Sequence, residues 1–232
     1  MVKNTFFISD LHIGHRSVVP FTHIQYDAAF NDPIEKTISL DGEHWFKRPY
    51  LPSDIIEWNE IIKLKWNSKV GKQDTTYILG DVTYIEKPHI VCEFLKELNG
   101  KKLIVSGNHD GQLLKFLNKN PVKGVECVGP YVDTYVSLPR GLPAKRVILS
   151  HYPIYSYDGC GFGVYHLHGH IHMNIDENVH YYKSMIEGFK FRKSKHKEYV
   201  GPKFINVGSM MPWMNFEPKD ISELGEIIDK MM

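Results

Sequence analysis

The sequence predicts an α/β fold in which several strands run parallel. Short apolar runs rich in β-branched and aromatic residues recur along the chain, and several of them end at a glycine or directly at an Asp or His. Segments with apolar residues at helical spacing lie between the first of these runs, which gives the order β-α-β. A helical crossover of this kind joins parallel strands.

Six apolar runs are predicted as strands, and polar or glycine-containing segments separate them. The runs cover residues 5–9, 75–79, 101–106, 146–150, 164–168 and 203–206. Three segments are predicted as helices, over residues 53–69, 88–98 and 220–230. In the first, Trp58, Ile62 and Trp66 fall on one face, and at the start of the last, Asp220 stands three residues before Glu223, as in a capping box.

The composition is typical of a globular protein and limits the classes of function. With 42% hydrophobic residues the chain can bury a substantial core, and no linker divides it, so we predict one domain over 1–232 with insertions near 17–52 and 177–200. No apolar stretch reaches the about 18 residues of a membrane span, and the start lacks the features of a signal peptide. The three cysteines are widely spaced and predict no disulfide framework, so the expected location is the cytoplasm.

Side chains of the types that commonly bind metals follow five of the predicted strands. In chain order they are Asp10 and His12, Asp81, Asn108 and His109, His151, and His170 and His172. Because sites in open α/β sheets form outside the carboxyl ends of the strands, we expect these side chains to lie close together. Carboxylate, amide and imidazole ligands suit Mn, Fe or Zn rather than a thiolate-bound metal.

Each motif also has a structural interpretation when it is taken alone. An Asp after a strand is commonly a turn or helix cap, His151 alone fits a hydrogen-bonded core histidine, and the segment GHIH at 169–172 fits a polar strand end. Five such motifs, each at the end of a strand, are hard to ascribe to chance. The combination therefore favours a metal site.

This order of motifs resembles the calcineurin-like metallophosphoesterase superfamily, whose pattern runs D-x-H, G-D, G-N-H-[DE], H and G-H-x-H. In this chain the pattern reads Asp10-Leu11-His12, Gly80-Asp81, Gly107-Asn108-His109-Asp110, His151 and Gly169-His170-Ile171-His172. Within the superfamily, SDLHIGH resembles the small stand-alone phosphoesterases of bacteria and their phages. Tyr84 departs from the pattern, since Asp or Asn is common at its position. The resemblance implies two facing mixed β-sheets flanked by helices, a four-layer α-β-β-α sandwich.

The resemblance also implies two divalent ions, with Mn as the expected metal and Fe, Zn or Ni as alternatives. One ion would be held by Asp10, His12, Asp81 and His172. The other would be held by Asp81, Asn108, His151 and His170. Asp81 would bridge the ions, and a hydroxide between them would attack the phosphoester. His166 and His168 match no motif position and are predicted to support the site or to pack.

The resemblance places His109 at the leaving oxygen, as a general acid or a transition-state donor. Asp110 would orient its imidazole or, alternatively, cap a helix that starts near Gly111. Asn108 is a neutral ligand that leaves the site positive enough to bind a phosphate. His15 and Arg16 follow the first motif and are candidates for phosphate binding, with an exposed loop as the alternative.

The expected substrate is a phosphate ester, and a phosphodiester is favoured because His109 can protonate a poor leaving group. A phosphomonoesterase that acts on nucleotides or phosphoproteins is the first alternative, and a non-catalytic scaffold on the same fold is another. A nucleic-acid-binding module would rest only on the basic segment 181–199, which is predicted as a hairpin with Gly188 near its turn. Its cations are either solvated and without a specific role, or they bind further phosphates of a nucleotide or oligonucleotide. The oligomeric state does not follow from these patterns.

Overall fold

A computed structural model describes residues 3–14, 52–84, 86–138, 142–172, 184, 187, 201–211 and 213–231, with the side chains of 52–57 and 231 outside the description. In chain order its elements are β1 (Thr5–Ile8), α1 (Pro52–Lys69), β2 (Thr75–Ile78), α2 (Pro88–Glu97), β3 (Lys101–Val105), α3 (Gly111–Lys119), β4 (Val125–Gly129), β5 (Tyr131–Val136), β6 (Lys145–Ser150), β7 (Phe162–His168), β8 (Gly201–Asn206), β9 (Lys219–Asp220) and α4 (Ile221–Met231). Every predicted strand and helix is present. The elements that were not predicted as such are α3, β4, β5 and β9.

The strands form two mixed sheets. The first has the order β4-β3-β2-β1-β9, in which β1 to β4 run parallel and β9 pairs antiparallel with β1. The second has the order β5-β6-β7-β8, in which β6, β7 and β8 run parallel and β5 is antiparallel. Helices follow β2 and β3 and precede β2, as parallel pairing requires. The predicted fold class, two mixed sheets with flanking helices, is confirmed.

The two sheets share one core and meet at the end of β1. Phe7 and Ile8 on β1, Leu149 on β6 and Leu167 on β7 belong to the same buried cluster. Beyond β1, the backbone N–H of Ser9 donates to the Val207 carbonyl at 2.8 Å, so the chain after β1 pairs with the chain after β8. This contact brings the carboxyl ends of strands from both sheets to one place.

Helix α1 covers the first sheet with the face that the sequence predicts. Trp58, Ile62 and Trp66 are buried, and the Trp58 ring packs edge-on against Phe216 with a centroid distance of 5.1 Å. The Trp58 indole N–H donates to the carbonyl of Leu11, between Asp10 and His12. The helix therefore both closes the core and holds the loop that carries the first motif.

The last helix begins at the predicted capping box. The backbone N–H of Glu223 donates to Asp220 Oδ1 at 3.0 Å, and the Asp220 N–H donates to Glu223 Oε2 at 3.0 Å. These reciprocal bonds satisfy two donors at the start of the helix.

Parts of the chain lie outside the described residues, and so do the predictions made for them. They include the insertion near 17–52, His15 and Arg16, and almost all of 177–200 with Gly188. In the basic segment, the described residues Ser184 and Glu187 are helical, so the prediction of a hairpin is wrong at these two positions. Among the helices of the described residues, none is both long and apolar enough to span a membrane.

Candidate metal centre

The five predicted motifs meet where β1, β2, β3, β6 and β7 end. Their side chains form two clusters with ligand atoms close enough for one ion each. The first cluster contains Asp10, His12, Asp81 and His172, and the second contains Asp81, His151 and His170. Within each cluster the ligand atoms all lie within 4.8 Å of one another, and Asp81 belongs to both. The arrangement is that of two neighbouring cation sites with one carboxylate between them.

In the first cluster, two imidazole nitrogens and a carboxylate oxygen face one another. His12 Nε2 and His172 Nε2 are 3.2 Å apart, and Asp10 Oδ1 lies 3.8 Å from the former and 3.6 Å from the latter. Asp10, His12 and Asp81 are buried. Two imidazole nitrogens and a carboxylate converging in a buried position form a typical ligand set for a divalent transition metal.

The second cluster is built around His151. Its Nε2 lies 2.9 Å from Asn108 Oδ1 and 3.4 Å from Asp81 Oδ2. The His170 ring packs edge-on to His151 with a centroid distance of 5.0 Å. Asn108, which the sequence predicts as a ligand, therefore lies at this cluster through its amide oxygen.

The hydrogen bonds of His151 and Asp81 fit a bound cation. His151 Nδ1 lies 2.8 Å from the Leu79 carbonyl, which can only accept, so Nδ1 carries a proton and Nε2 is the nitrogen that faces Asn108 Oδ1 and Asp81 Oδ2. Asp81 Oδ2 is buried and accepts no hydrogen bond from any described residue. A divalent ion among these three atoms would satisfy all of them, so the residues present fit the metal that the motifs imply.

The pKa values of most ligand side chains also favour the binding of a cation. Burial lowers the pKa of His170 and of His172, so both rings are neutral near pH 7. Burial alone would raise the pKa of Asp10 and of Asp81, but the adjacent histidines outweigh it and hold both values below the ordinary range. His151 is the exception: burial lowers its pKa, but Asp81 and Asp10 outweigh it and raise the net value, so a cation that binds at Nε2 must displace a proton.

Four of the clustered residues have left-handed backbone conformations. The φ angles are 54° at Asp10, 48° at His12, 50° at Asp81 and 69° at His170. Residues other than glycine rarely adopt such angles, which cost of order 1–3 kcal/mol each and concentrate at functional sites. The fold therefore accepts local strain at the residues that form the two clusters.

Two glycines let the loops after β2 and β3 approach each other closely. A Cβ atom on Gly107 would lie 2.5 Å from the Asp81 nitrogen, and one on Gly80 would lie 2.7 Å from the Gly107 Cα. No other residue fits these positions without moving the backbone that carries Asp81.

The sequence profile described as calcineurin-like phosphoesterase matches residues 4–214. The chain belongs to this family. It is therefore a metal-dependent phosphoesterase, with Asp10, His12, Asp81 and His172 as a candidate metal-ligand set.

The proteins similar to this phosphoesterase include two curated proteins and a solved structure. The gene 66 protein of Mycobacterium phage L5 is 30% identical over 112 residues, which are 47% of this chain and 41% of the phage protein. An uncharacterized protein of Methanocaldococcus jannaschii is 23% identical over 231 residues, covering 99% of this chain and 93% of that protein. The crystal structure of a protein of unknown function from Aquifex aeolicus matches with a TM-score of 0.53 at 18% identity, covering all of both chains, which supports the fold.

His109 stands beside the shared carboxylate. Its backbone N–H donates to Asp81 Oδ1 at 3.0 Å, and its Nε2 lies 3.9 Å from Asp81 Oδ2. The side chain is 33% exposed, so one side of the imidazole faces solvent and can be reached by a substrate.

Asp110 does not have the role that the sequence predicts for it. Its Oδ2 accepts hydrogen bonds from the N–H groups of Asp81 and Gly107, and its Oδ1 accepts one from Val82. The buried carboxylate therefore ties the loop after β2 to the loop after β3 and does not orient the His109 imidazole. It precedes α3, as expected, but makes no capping hydrogen bond with its side chain.

Other residues support the ligands and were not identified from the sequence. Asn206 Nδ2 donates to the carbonyl of Ile171, which lies between two ligands, and Ser209 Oγ donates to the carbonyl of Asp10. Both belong to the segment FINVGS, which the motifs alone left without a role. His166 is buried, donates from Nδ1 to the Ile148 carbonyl and accepts from the Ile154 N–H at Nε2, so it is a packing residue, as predicted.

Proposed function

We propose that this phosphoesterase hydrolyses phosphodiesters with two divalent ions, manganese first among them. The observation that carries the proposal is the position of Asp81, whose carboxylate is common to both ligand clusters and has a buried oxygen without a hydrogen bond from the described residues. A shared carboxylate offsets the repulsion of two cations that stand about 3.5–4 Å apart. The clusters are formed by the residues that the motifs predict.

The bound ions would supply Lewis acidity towards the phosphate oxygens and the attacking water. The chain's own residues determine where that chemistry takes place. The carboxylates of Asp10 and Asp81 supply the negative charge of the site, while the Asn108 amide and the neutral rings of His170 and His172 add none. Two carboxylates against two divalent ions leave a net positive charge, which attracts and holds a phosphate.

His109 supplies the proton for the leaving group. Its Nε2 lies 3.9 Å from the shared carboxylate and its side chain is 33% exposed, so a phosphate held by ions at Asp81 would have its leaving oxygen within reach of the imidazole. An alkoxide is a poor leaving group unless it is protonated as the bond breaks, which is why this residue favours diesters of ordinary alcohols as substrates.

A nucleotide or oligonucleotide is the substrate class that we propose within the diesters. Tyr152 packs on His170 with a centroid distance of 4.6 Å and is 49% exposed, so its ring lies at the second cluster with a face or edge available to a base. Stacking on an aromatic ring is tolerant of base identity and contributes about 1–3 kcal/mol per base.

An activity screen of the Mn-loaded protein tests the proposal. Linear phosphodiesters, cyclic nucleotides and phosphomonoesters are compared at equal concentration, with the Asp81→Asn variant as the blank for contaminating hydrolases. We expect the highest kcat/KM on a linear diester and a larger value for a dinucleotide than for a dialkyl phosphate. If kcat/KM for monoesters exceeds that for diesters by tenfold or more, the proposed diesterase activity is wrong and the protein is a phosphatase. Repeating the best reaction with Fe, Zn and Ni tests the choice of manganese.

A further inference from the structure

The orientation of His109 needs an explanation, because the residue predicted to provide it is engaged elsewhere. The oxygens of Asp110 accept hydrogen bonds from three backbone N–H groups, and among the described residues no side chain forms a hydrogen bond with the His109 ring. Among the described residues, the carboxylate oxygen beside the imidazole is Asp81 Oδ2, 3.9 Å from Nε2, and it belongs to the ligand clusters.

The ring of Tyr84 packs against His109. The centroids are 4.3 Å apart and the planes meet at 73°, which is an edge-to-face contact. Aromatic rings prefer this arrangement, which contributes about 0.5–1.5 kcal/mol beyond the area it buries. Among the described residues, the other ring near His109 is that of His12 at 6.4 Å, so Tyr84 is the closer of its two aromatic neighbours.

Tyr84 is attached to a rigid part of the fold. The preceding residue, Thr83, is buried, and its hydroxyl donates to the Ile13 carbonyl at 2.8 Å. The Ile13 N–H in turn donates to the Val82 carbonyl at 2.9 Å, so the loop after β2 is paired with the loop after β1. A ring that leaves the chain at this point has little freedom in the position of its Cα, and it can restrict a neighbouring side chain.

We propose that Tyr84 is the positioning residue of His109: its ring restricts the rotation of the imidazole and holds Nε2 towards the leaving oxygen of the substrate. The contact between the two residues is one of ring against ring, so we assign the role to the Tyr84 ring and test the hydroxyl separately. Tyr84 is itself 51% exposed, so its ring borders solvent beside His109. This inference rests on the proposed role of His109 and adds to it the group that makes that role efficient.

The test is a double-mutant cycle with two substrates. Tyr84→Phe, Tyr84→Ala, His109→Ala and Tyr84→Ala/His109→Ala are loaded with Mn and assayed on a diester that releases an alcohol and on one that releases nitrophenolate. Tyr135→Ala is the control, because Tyr135 is an exposed tyrosine on β5 paired with Arg146, at the opposite end of β6 from His151.

We expect Tyr84→Phe and Tyr135→Ala to stay within about twofold of the parent. Tyr84→Ala should lower kcat on the alcohol-releasing diester by about 10- to 100-fold, with a smaller loss on the nitrophenolate substrate and unchanged metal content. In the His109→Ala background the Tyr84→Ala change should have no further effect, since the residue acts through the imidazole.

Three outcomes would overturn the inference. An equal loss in both backgrounds would mean that the two residues act independently. A change confined to KM would make Tyr84 a substrate contact, and a Phe variant as poor as Ala would place the function in the hydroxyl. If His109→Ala alone keeps the parental rate on both substrates, the proposed function of His109 fails, and that result is separate from any effect of Tyr84.

Discussion

The Asp110 carboxylate accepts a hydrogen bond of 2.9 Å from the backbone N–H of Asp81, the residue whose own carboxylate lies in both ligand clusters. Asp110 also accepts from Val82 and Gly107, so one buried side chain fixes the two loops that place Asp81, Asn108 and His109. Its effect on the metal centre is therefore transmitted through the backbone.

Replacement of Asp110 should lower both stability and metal affinity. Asp110→Ala leaves three buried N–H groups without their acceptor, and each such group costs about 1–3 kcal/mol. We expect the metal-free variant to lose at least about 2 kcal/mol of unfolding free energy in urea and to bind Mn more weakly by calorimetry. Asp110→Asn keeps one acceptor oxygen, so its stability and Mn affinity should lie between those of Asp110→Ala and those of the parent.

Asp74 provides the matched control. It is buried and accepts from the N–H groups of Asn4 and Gly71, at 2.8 Å each, but it precedes β2 and so lies at the end of the sheet opposite to the clusters. Asp74→Ala should lower stability and leave Mn affinity unchanged. Equal losses of Mn affinity in the two variants would mean that Asp110 acts only through global stability.

Asp81 should be the most costly ligand to alter, because it contributes to both clusters. Asp81→Asn keeps an oxygen for the His109 N–H and so preserves the loop, but it removes the negative charge between the ions. We expect metal content below two per chain by elemental analysis and no measurable hydrolysis. Asp158→Asn serves as the control. The Asp158 side chain is 79% exposed and pairs with Arg146, which belongs to neither cluster. Two ions and parental turnover in Asp81→Asn would contradict the shared site.

The metal ligands could be predicted because their positions follow from the fold class. The residues that hold the ligands in place could not be predicted in this way. Parallel strands bring their carboxyl ends to one edge, so Asp10, Asp81 and His151 could be placed together from strand ends alone. The role of Asp110 depends on which N–H groups two loops leave unpaired, and this is decided by tertiary contacts. The left-handed φ angles of His12 and His170 were unpredictable for the same reason, since residues other than glycine adopt that region only uncommonly.

Two of the elements that were not predicted, β5 and β9, have weak local patterns. In β5, the exposed residues Tyr131, Asp133 and Tyr135 alternate with Val132, Thr134 and Val136, so the strand contains no continuous apolar run. The strand β9 has two residues and is stabilised by its pairing with Phe6 and Phe7 of β1. Short strands of this kind are defined by their partners rather than by their own composition.

Loss of His109 should affect turnover and not metal content. The imidazole is not part of either ligand cluster, so His109→Ala should retain both ions. We expect kcat to fall by about 10²–10⁴-fold on a diester that releases an alcohol, and by less on one that releases nitrophenolate, which needs no proton. Equal losses on the two substrates would leave only electrostatic stabilisation as its role.

His166 should make the fold sensitive to acid. Burial, with the nearby His168 adding to it, lowers the pKa of His166 to about 3, whereas the ring in an unfolded chain titrates near about 6.5. Between these values the unfolded state takes up a proton and the native state does not. The contribution of His166 to stability is therefore complete above pH 6.5 and is lost as the pH falls towards 3, with a slope of up to about 1.4 kcal/mol per pH unit.

The variant His166→Gln isolates this contribution. Glutamine does not titrate, and its amide offers one donor and one acceptor in place of those that bind the Ile148 carbonyl and the Ile154 N–H. We expect the variant to be less stable than the parent at pH 7, and the difference between the two to shrink steadily from pH 6.5 to pH 4 in urea unfolding of the metal-free proteins. His168 and the ligand histidines titrate in both proteins and cancel in that difference. If the difference in stability between the two proteins stays constant with pH, His166 takes up protons equally in the unfolded and native states. Such a result would mean that burial does not keep the His166 ring neutral.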